Sequence, residues 1–141
     1  MSVSGRPEML AALCQKFQVS ILYVFGSRAV EVRDWLMGES TDLASGPSDV
    51  DVGVRVTRRF SVKDKIEIAL ALEDLFQVGR VDLIVLNDAD PFLAANIIRG
   101  ERVYANDTYA ADEYDLYVLR RAGDLAPLER ERMALILGAK R

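Results

Sequence analysis

The stretch SDVDVGV, residues 48–54, sets two aspartates, Asp49 and Asp51, into a run of valines. Side chains two residues apart in a β-strand point to the same side, so the valines form one face and both carboxylates lie on the other. Two carboxylates about 4–5 Å apart repel each other by about 3–4 kcal/mol at an effective dielectric constant of 20. The stretch therefore predicts a strand over residues 48–56 whose polar face holds something that offsets this repulsion.

The segment RVDLIVL, residues 80–86, predicts a second strand of the same kind, with Asp82 opposite the apolar side chains. Three aspartates on two strands indicate a divalent-cation site, and their oxygen ligands suit Mg²⁺ or Mn²⁺. A carboxylate cluster that holds two such ions without histidine is typical of phosphoryl or nucleotidyl transfer. The alternative is a simple ion pair, because Arg80 lies two residues from Asp82 on the same strand face.

The segment VFGSRA, residues 24–29, predicts a place for phosphate where a strand turns into a helix. Gly26 lets the backbone approach an anion, and Ser27 offers a hydroxyl and an amide at a helix N-terminus. The sequence contains no Walker A motif. Arg28 either contacts phosphate or points into solvent, and we favour solvent.

Hydrophobic periodicity and turn residues predict alternating helices and strands along the rest of the chain. The predicted strands cover residues 20–25, 48–56, 80–86 and, as an edge strand, 102–105. The predicted helices cover residues 7–17, 27–38, 61–77, 92–100, 108–121 and 127–138, with the segment AGDLAP (122–127) separating the last two. This order favours an α/β or α+β domain with one small sheet covered by helices.

The helix over 61–77 carries its own start signal, because Ser61 followed by Asp64 is typical of an N-cap. The inward side chains predicted for this helix are Ile66, Ala69, Leu70, Leu72, Leu75 and Phe76.

Composition limits the function classes that the chain can belong to. Its 141 residues are 50% hydrophobic and 28% charged, as expected for one globular domain. The absence of histidine excludes His-based acid–base catalysis and His-ligated zinc, and the formal net charge of −4 argues against stable nucleic-acid binding. With one cysteine, Cys14, and no long apolar segment, we expect a cytoplasmic protein without a membrane span.

The segments YVFGSRA (23–29), SDVDVGV and RVDLIVL, in this order, resemble the nucleotidyltransferase superfamily that includes DNA polymerase beta. Within it, the chain is most similar to the minimal nucleotidyltransferases (MNT domains) of prokaryotes. The resemblance covers residues 6–105, and DEYDLYVLRRAGDL (112–125) is also typical of that group. It implies a nucleotidyltransferase fold with a small mixed sheet covered by helices. Residues 1–106 would be the catalytic domain, and residues 107–141 would be a C-terminal helical extension of the same compact unit.

The resemblance also implies roles for five residues. Gly26 and Ser27 would contact the triphosphate of the nucleotide. Asp49 and Asp51 would bind two Mg²⁺ ions, and Asp82 would complete the second metal site beside the attacking hydroxyl. All three aspartates would thus be catalytic, with ATP as the substrate and Mn²⁺ as an alternative metal.

The same resemblance implies a partner, because minimal nucleotidyltransferases are typically paired with HEPN-domain toxins. The chain would then be the antitoxin of a hetero-oligomeric pair and would transfer AMP from ATP to a tyrosine of the toxin. Two alternatives stay open. One is nucleotide transfer to a small molecule of the aminoglycoside type, and the other is a non-catalytic module that neutralises its partner by contact.

One departure from the family pattern concerns the distance between its first two motifs. Residues 28–48 separate Ser27 from Asp49, which is longer than is typical of the family. The extra segment, around DWLMGESTDLAS (34–45), would be either a longer helix and loop over the mouth of the active site or neutral padding.

Overall fold

The computed structural model describes residues 5–39, 43 and 49–138, and within them a mixed four-stranded sheet has helices on both faces. The strands are β1 (Val19–Phe25), β2 (Val50–Val56), β3 (Val81–Val85) and β4 (Glu101–Ala105). The helices are α1 (Arg6–Lys16), α2 (Ala29–Leu36), α3 (Val62–Phe76), α4 (Pro91–Ile98) and α5 (Thr108–Gly138).

The strands lie in the order β3-β2-β1-β4. β1 is antiparallel to both of its neighbours, and β2 is parallel to β3, with α3 as the crossover between them. A parallel pair needs such a connection because the chain must return to the same end of the sheet. The predicted α+β fold with a small mixed sheet is confirmed.

The two faces of the sheet belong to two separate hydrophobic cores. The valines of β2 pack with α1, α2 and α3, through buried side chains that include Leu10, Cys14, Val32, Trp35, Ile68 and Leu72. The other face packs against α4 and α5, through Ile21, Tyr23, Ala95, Ile97, Ala111 and Val118. None of the helices described here is both long and apolar enough to cross a bilayer.

α3 begins as predicted, and its buried stripe agrees with the predicted one in part. Ser61 and Asp64 form a capping box, in which the Asp64 amide donates to the Ser61 hydroxyl at 3.1 Å and the Ser61 amide donates to the Asp64 carboxylate at 2.7 Å. The prediction was wrong for Ile66 and Leu70, which are 54% and 58% exposed. The prediction was correct for Leu72, Leu75 and Phe76, which are buried together with Ile68. Both stripes are apolar at helical spacing, so periodicity alone does not identify the inner one.

α5 is one helix of 31 residues, so the predicted separation into two helices was wrong. Pro127 lies inside it and removes the helical hydrogen bond to the carbonyl of Gly123. Both residues are exposed, so water can bind that carbonyl instead. The first half of α5 is held on the sheet by a network in which the buried Tyr23 hydroxyl donates to Asp115, which also pairs with Arg102 at 3.0 Å.

Candidate functional site

The three predicted aspartates lie on one face of the sheet, at one end of β2 and β3. Asp51 is opposite Phe25 of β1 and opposite Asp82 of β3, and Asp49 directly precedes β2. Alternation along each strand places them on the face of Gly53 and Ile84, which is the α4 and α5 side. The sequence-based placement opposite the valines is thus correct.

Gly26 follows the last residue of β1 and lies directly beside Asp51. Its φ of +78° is a conformation that residues with a Cβ rarely adopt, and a Cβ there would collide with Oδ2 of Asp51 and lie 3.4 Å from its Cγ. Both the backbone angle and the lack of space require glycine. The predicted turn therefore brings its backbone next to the carboxylate.

Ser27 lies exposed in the same turn, just before α2 begins at Ala29. Arg28, at the cap position of α2, makes no side-chain hydrogen bond to the helix N-terminus. The preference for solvent at Arg28 was wrong. Its side chain is buried and its Nη2 atom lies 2.6 Å from Glu31, one turn further along α2.

The electrostatic repulsion expected from the sequence is present. The pKa of Asp51 is raised above its ordinary value, first by burial of the carboxylate and then by the charges of Asp82 and Asp49. The three carboxylates therefore interact across the two strands. A bound cation would offset this cost.

Arg80 supplies part of that offset. Its Nε atom lies 3.5 Å from Asp49 and its Nη2 atom 3.3 Å from Asp82. The pairing with Asp82, considered as the alternative to a metal, is confirmed and extends to Asp49. The Arg80 side chain is 69% exposed, and ion pairs this exposed contribute about 0–1 kcal/mol. A competing cation would displace it at little cost.

A divalent cation fits the donor set, although the side chains do not yet surround one point. Across residues 5–39, 43 and 49–138, no three acidic, cysteine or histidine side chains are close enough together to form a ready metal site. The donors are all carboxylate oxygens, which Mg²⁺ and Mn²⁺ prefer, and three carboxylates outweigh the charge of Arg80 by two. The assignment of Asp49, Asp51 and Asp82 as metal ligands stays a prediction.

A cleft of about 340 Å³ on the other side of Gly26 contains residues that the sequence reasoning missed. The cleft is lined by Asn96, in the last turn of α4, and by Arg99, which caps that helix, and both side chains are exposed. They lie there because Gly100 packs directly on β1, where a Cβ would be 2.5 Å from the carbonyl oxygen of Val24. A glycine between a helix and an edge strand was the available signal of this close approach.

The long segment between the first two motifs is only partly accounted for. α2 occupies Ala29–Leu36, so the predicted helix is present, although it ends before Gly38. Residues 40–42 and 44–48 lie outside the described residues.

Comparison with solved structures shows the same fold elsewhere. A chain from a structure of a tri-AMPylated Shewanella oneidensis HEPN toxin in complex with MNT antitoxin has a TM-score of 0.65 at 16% identity, covering 96% of this chain and 97% of that one. A chain from a toxin–antitoxin structure with AMP-PNP has a TM-score of 0.66 at 17% identity, covering 96% and 98%. A candidate minimal nucleotidyltransferase has a TM-score of 0.50 at 29% identity, covering 69% and 87%.

A search of curated proteins found no match to the sequence. The family model for "Polymerase beta, Nucleotidyltransferase" matches residues 8–109, a range that includes β1, the glycine–serine turn and all three aspartates. That range is well over half of the chain. The protein therefore belongs to the polymerase beta nucleotidyltransferase family.

Proposed function

We propose that the chain is a metal-dependent nucleotidyltransferase that acts as the antitoxin of a HEPN toxin, transferring AMP from ATP to a tyrosine hydroxyl of that partner. The observation that carries the proposal is the register of three strands, which sets Asp51 beside Gly26 on one side and Asp82 on the other. The Gly26–Ser27 turn, where phosphate would bind, therefore lies next to the carboxylate cluster.

Each part of this arrangement has a task in the transfer. The backbone of Gly26 and the hydroxyl of Ser27 would hold the triphosphate at the start of α2. Asp49, Asp51 and Asp82 would hold Mg²⁺, which supplies charge neutralisation and a lowered pKa of the acceptor hydroxyl. The tyrosine oxygen forms a bond to the α-phosphorus, and the bond from that phosphorus to the pyrophosphate breaks. Asp82, whose side chain is 45% exposed, would take the proton.

The identity of the acceptor is supported by the similar structures. One contains a HEPN toxin that is AMPylated, and another contains AMP-PNP.

In this chain, the second half of α5 offers apolar side chains to a partner, with Leu128, Leu135 and Leu137 between 57% and 71% exposed. We infer that the partner docks there.

The test is to incubate the chain with ATP, Mg²⁺ and a HEPN toxin, and to follow the mass of that toxin. We expect the mass to increase by one or more AMP groups, located on tyrosine by peptide sequencing. The double variant Asp49→Asn/Asp51→Asn should lose the reaction. The matched control is Glu8→Gln/Asp74→Asn, which removes two exposed carboxylates from α1 and α3 and should react like the unmodified chain.

A HEPN protein that keeps its mass with the unmodified chain contradicts the transfer. A double aspartate variant that still adds AMP contradicts the assignment of the site.

Neutralisation by contact alone is the second candidate, and the Arg80 ion pairs favour it. Arg80 already contacts two of the three aspartates, so the cluster is partly neutralised without a metal. If the Asp49→Asn/Asp51→Asn variant still protects cells from the toxin, contact is sufficient and transfer is not the protective step.

A further inference from the structure

We propose that a pocket at the far end of β2 from the aspartates is a second site, which binds a small phosphate-bearing ligand. The pocket has a volume of about 250 Å³ and lies where β2 ends against α4 and α5. Arg55 lines it and shares a strand face with Asp51, but four residues further on, which is about 13 Å away. The pocket is therefore separate from the carboxylate cluster.

The lining of the pocket is basic in a chain that is acidic overall. Its charged side chains are Arg55 and Arg121, and no carboxylate lines it in the part of the chain that the structure describes. The formal net charge of the whole chain is −4. Two positive charges in a half-enclosed space favour an anion, and they match the charge of a phosphate monoester, which approaches −2 at pH 7.

Both guanidinium groups are held in place by tyrosines. The Arg55 guanidinium lies 4.4 Å from the centroid of the Tyr114 ring, and Nη1 of Arg121 donates to the Tyr117 hydroxyl at 3.3 Å. All four residues line the pocket. Because the donors are already positioned, little side-chain entropy is lost when an anion binds.

The floor of the pocket is also fixed. Both amide atoms of Asn87 bond the backbone of the last residue of β2, each at 3.0 Å. Among the nearby acidic residues, Asp90 is engaged in capping α4, where it accepts from two amides at 2.9 Å, and neither it nor Asp88 lines the pocket. The positive charges thus face the cavity without a carboxylate beside them in its wall.

The donor types favour phosphate over a carboxylate. Two planar guanidinium groups and two tyrosine hydroxyls line the pocket as hydrogen-bond donors. A carboxylate has only two oxygens, which lie in one plane, so it would leave some of these donors without an acceptor. A phosphate presents three terminal oxygens around a tetrahedral centre and can accept from all of them. The aromatic walls leave room for a ring or sugar that carries the phosphate.

The test is a titration of ¹⁵N-labelled protein with inorganic phosphate, with AMP and with glutamate, each without added metal. We expect phosphate and AMP to shift the amide signals of Asn87, Tyr114 and Arg121, and glutamate to shift them little. Arg55→Gln/Arg121→Gln should weaken phosphate binding about tenfold or more. The matched control, Arg120→Gln, removes an exposed arginine that does not line the pocket and should bind as the unmodified chain does.

Several results would overturn the proposal. They are shifts confined to Gly26 and Ser27, an unchanged phosphate affinity in the Arg55→Gln/Arg121→Gln variant, or glutamate binding as tightly as phosphate. Both arginines are exposed, and thermal melts of the variants verify that they remain folded. Asp49 and Asp51 do not line this pocket, so the Asp49→Asn/Asp51→Asn variant should still bind phosphate, which separates this site from nucleotide transfer.

Discussion

The two ends of β2 carry opposite charges on the same face of the sheet. At the start are Asp49 and Asp51, and at the far end is Arg55. The acidic end remains open, and the only cation that pairs with it among the described residues is the exposed Arg80. At the basic end, Tyr114 and Tyr117 each contact one of the two arginines.

Gly53 lies between the two ends, at the point where α4 packs against β2. A Cβ at Gly53 would lie 2.5 Å from Cγ2 of Ile97, so the glycine lets α4 pack directly on the strand. α4 therefore covers the middle of this face and leaves its ends accessible. One strand can therefore carry two sites of opposite charge, because a helix covers the strand between them.

Substitutions at the acidic end should cause the greatest loss of activity. Asp51→Asn should lower the rate of AMP transfer by more than about 100-fold. Mutation of residues that only hydrogen-bond a metal ligand already lowers activity about 10–100-fold, and Asp51 would be a ligand itself. The same change should raise the melting temperature at pH 7. The pKa of Asp51 is raised in the folded protein above its ordinary value of 3.8, so the ionised carboxylate destabilises the fold. The free energy of unfolding therefore falls as the pH rises from 3.8 through the folded pKa. Transfer assays and thermal melts at pH 4 and pH 7 check both.

In the Asp51→Asn experiment, the gain in melting temperature should shrink as the pH is lowered from 7 to 4, because protonation of the carboxylate removes its repulsion. A variant that is less stable than the unmodified chain at pH 7 would contradict the repulsion at this end.

Gly26→Ala should be almost as damaging to transfer, at about 100-fold, since a small misplacement of reacting groups costs about that much. The methyl group collides with Asp51, and the positive φ adds about 1–2 kcal/mol of strain. Steady-state kinetics and denaturant unfolding measure the two effects. Gly79→Ala is the matched control, because nothing lies within 4 Å of its Cβ. Comparable losses in both variants would show that the turn is not special.

Tyr23→Phe addresses the middle of the sheet, where Tyr23 pairs with Gly53. It removes the hydrogen bond to Asp115 and should lower the free energy of unfolding by about 1–3 kcal/mol while leaving transfer unchanged. Urea unfolding measures the loss. A drop in transfer rate under conditions where the variant is folded would mean that the middle of the face is coupled to the acidic end.

The smallest expected effect is that of Arg80→Ala. Removing one exposed ion-pair partner changes stability by about 0–1 kcal/mol. Because Arg80 competes for Asp49 and Asp82, the affinity for Mn²⁺ should rise a few-fold, measured by electron paramagnetic resonance titration. Weaker Mn²⁺ binding in this variant would show that Arg80 assists the site.

The sequence was sufficient to place the main elements of the site, because strand alternation and glycine chemistry are local. The face of Asp51, the turn at Gly26 and the capping box at Ser61 all depend on residues close together in the chain. Arg80 was recognised as a partner of Asp82 for the same reason, but its contact with Asp49 needed the parallel register.

What could not be predicted depends on tertiary contacts. The exposed stripe at Ile66 and Leu70 and the buried one on the same helix have the same period, and only packing on the sheet distinguishes them. Pro127 indicates a helix end by local rules, yet α5 continues through it where the lost hydrogen bond faces water. The approach of Arg99 to Gly26 results from contact between α4 and β1, which lie far apart in the sequence.

The assignment of the three aspartates as metal ligands is tested most directly by a crystal structure. The crystals would be grown with Mn²⁺ and a non-hydrolysable ATP analogue, and anomalous diffraction would locate the metal. We expect a manganese peak within about 2.0–2.3 Å of oxygens from Asp49, Asp51 and Asp82, with Arg80 turned away and the phosphates on the Gly26 turn. Arg80 still between Asp49 and Asp82, with no anomalous peak beside them, would contradict the assignment.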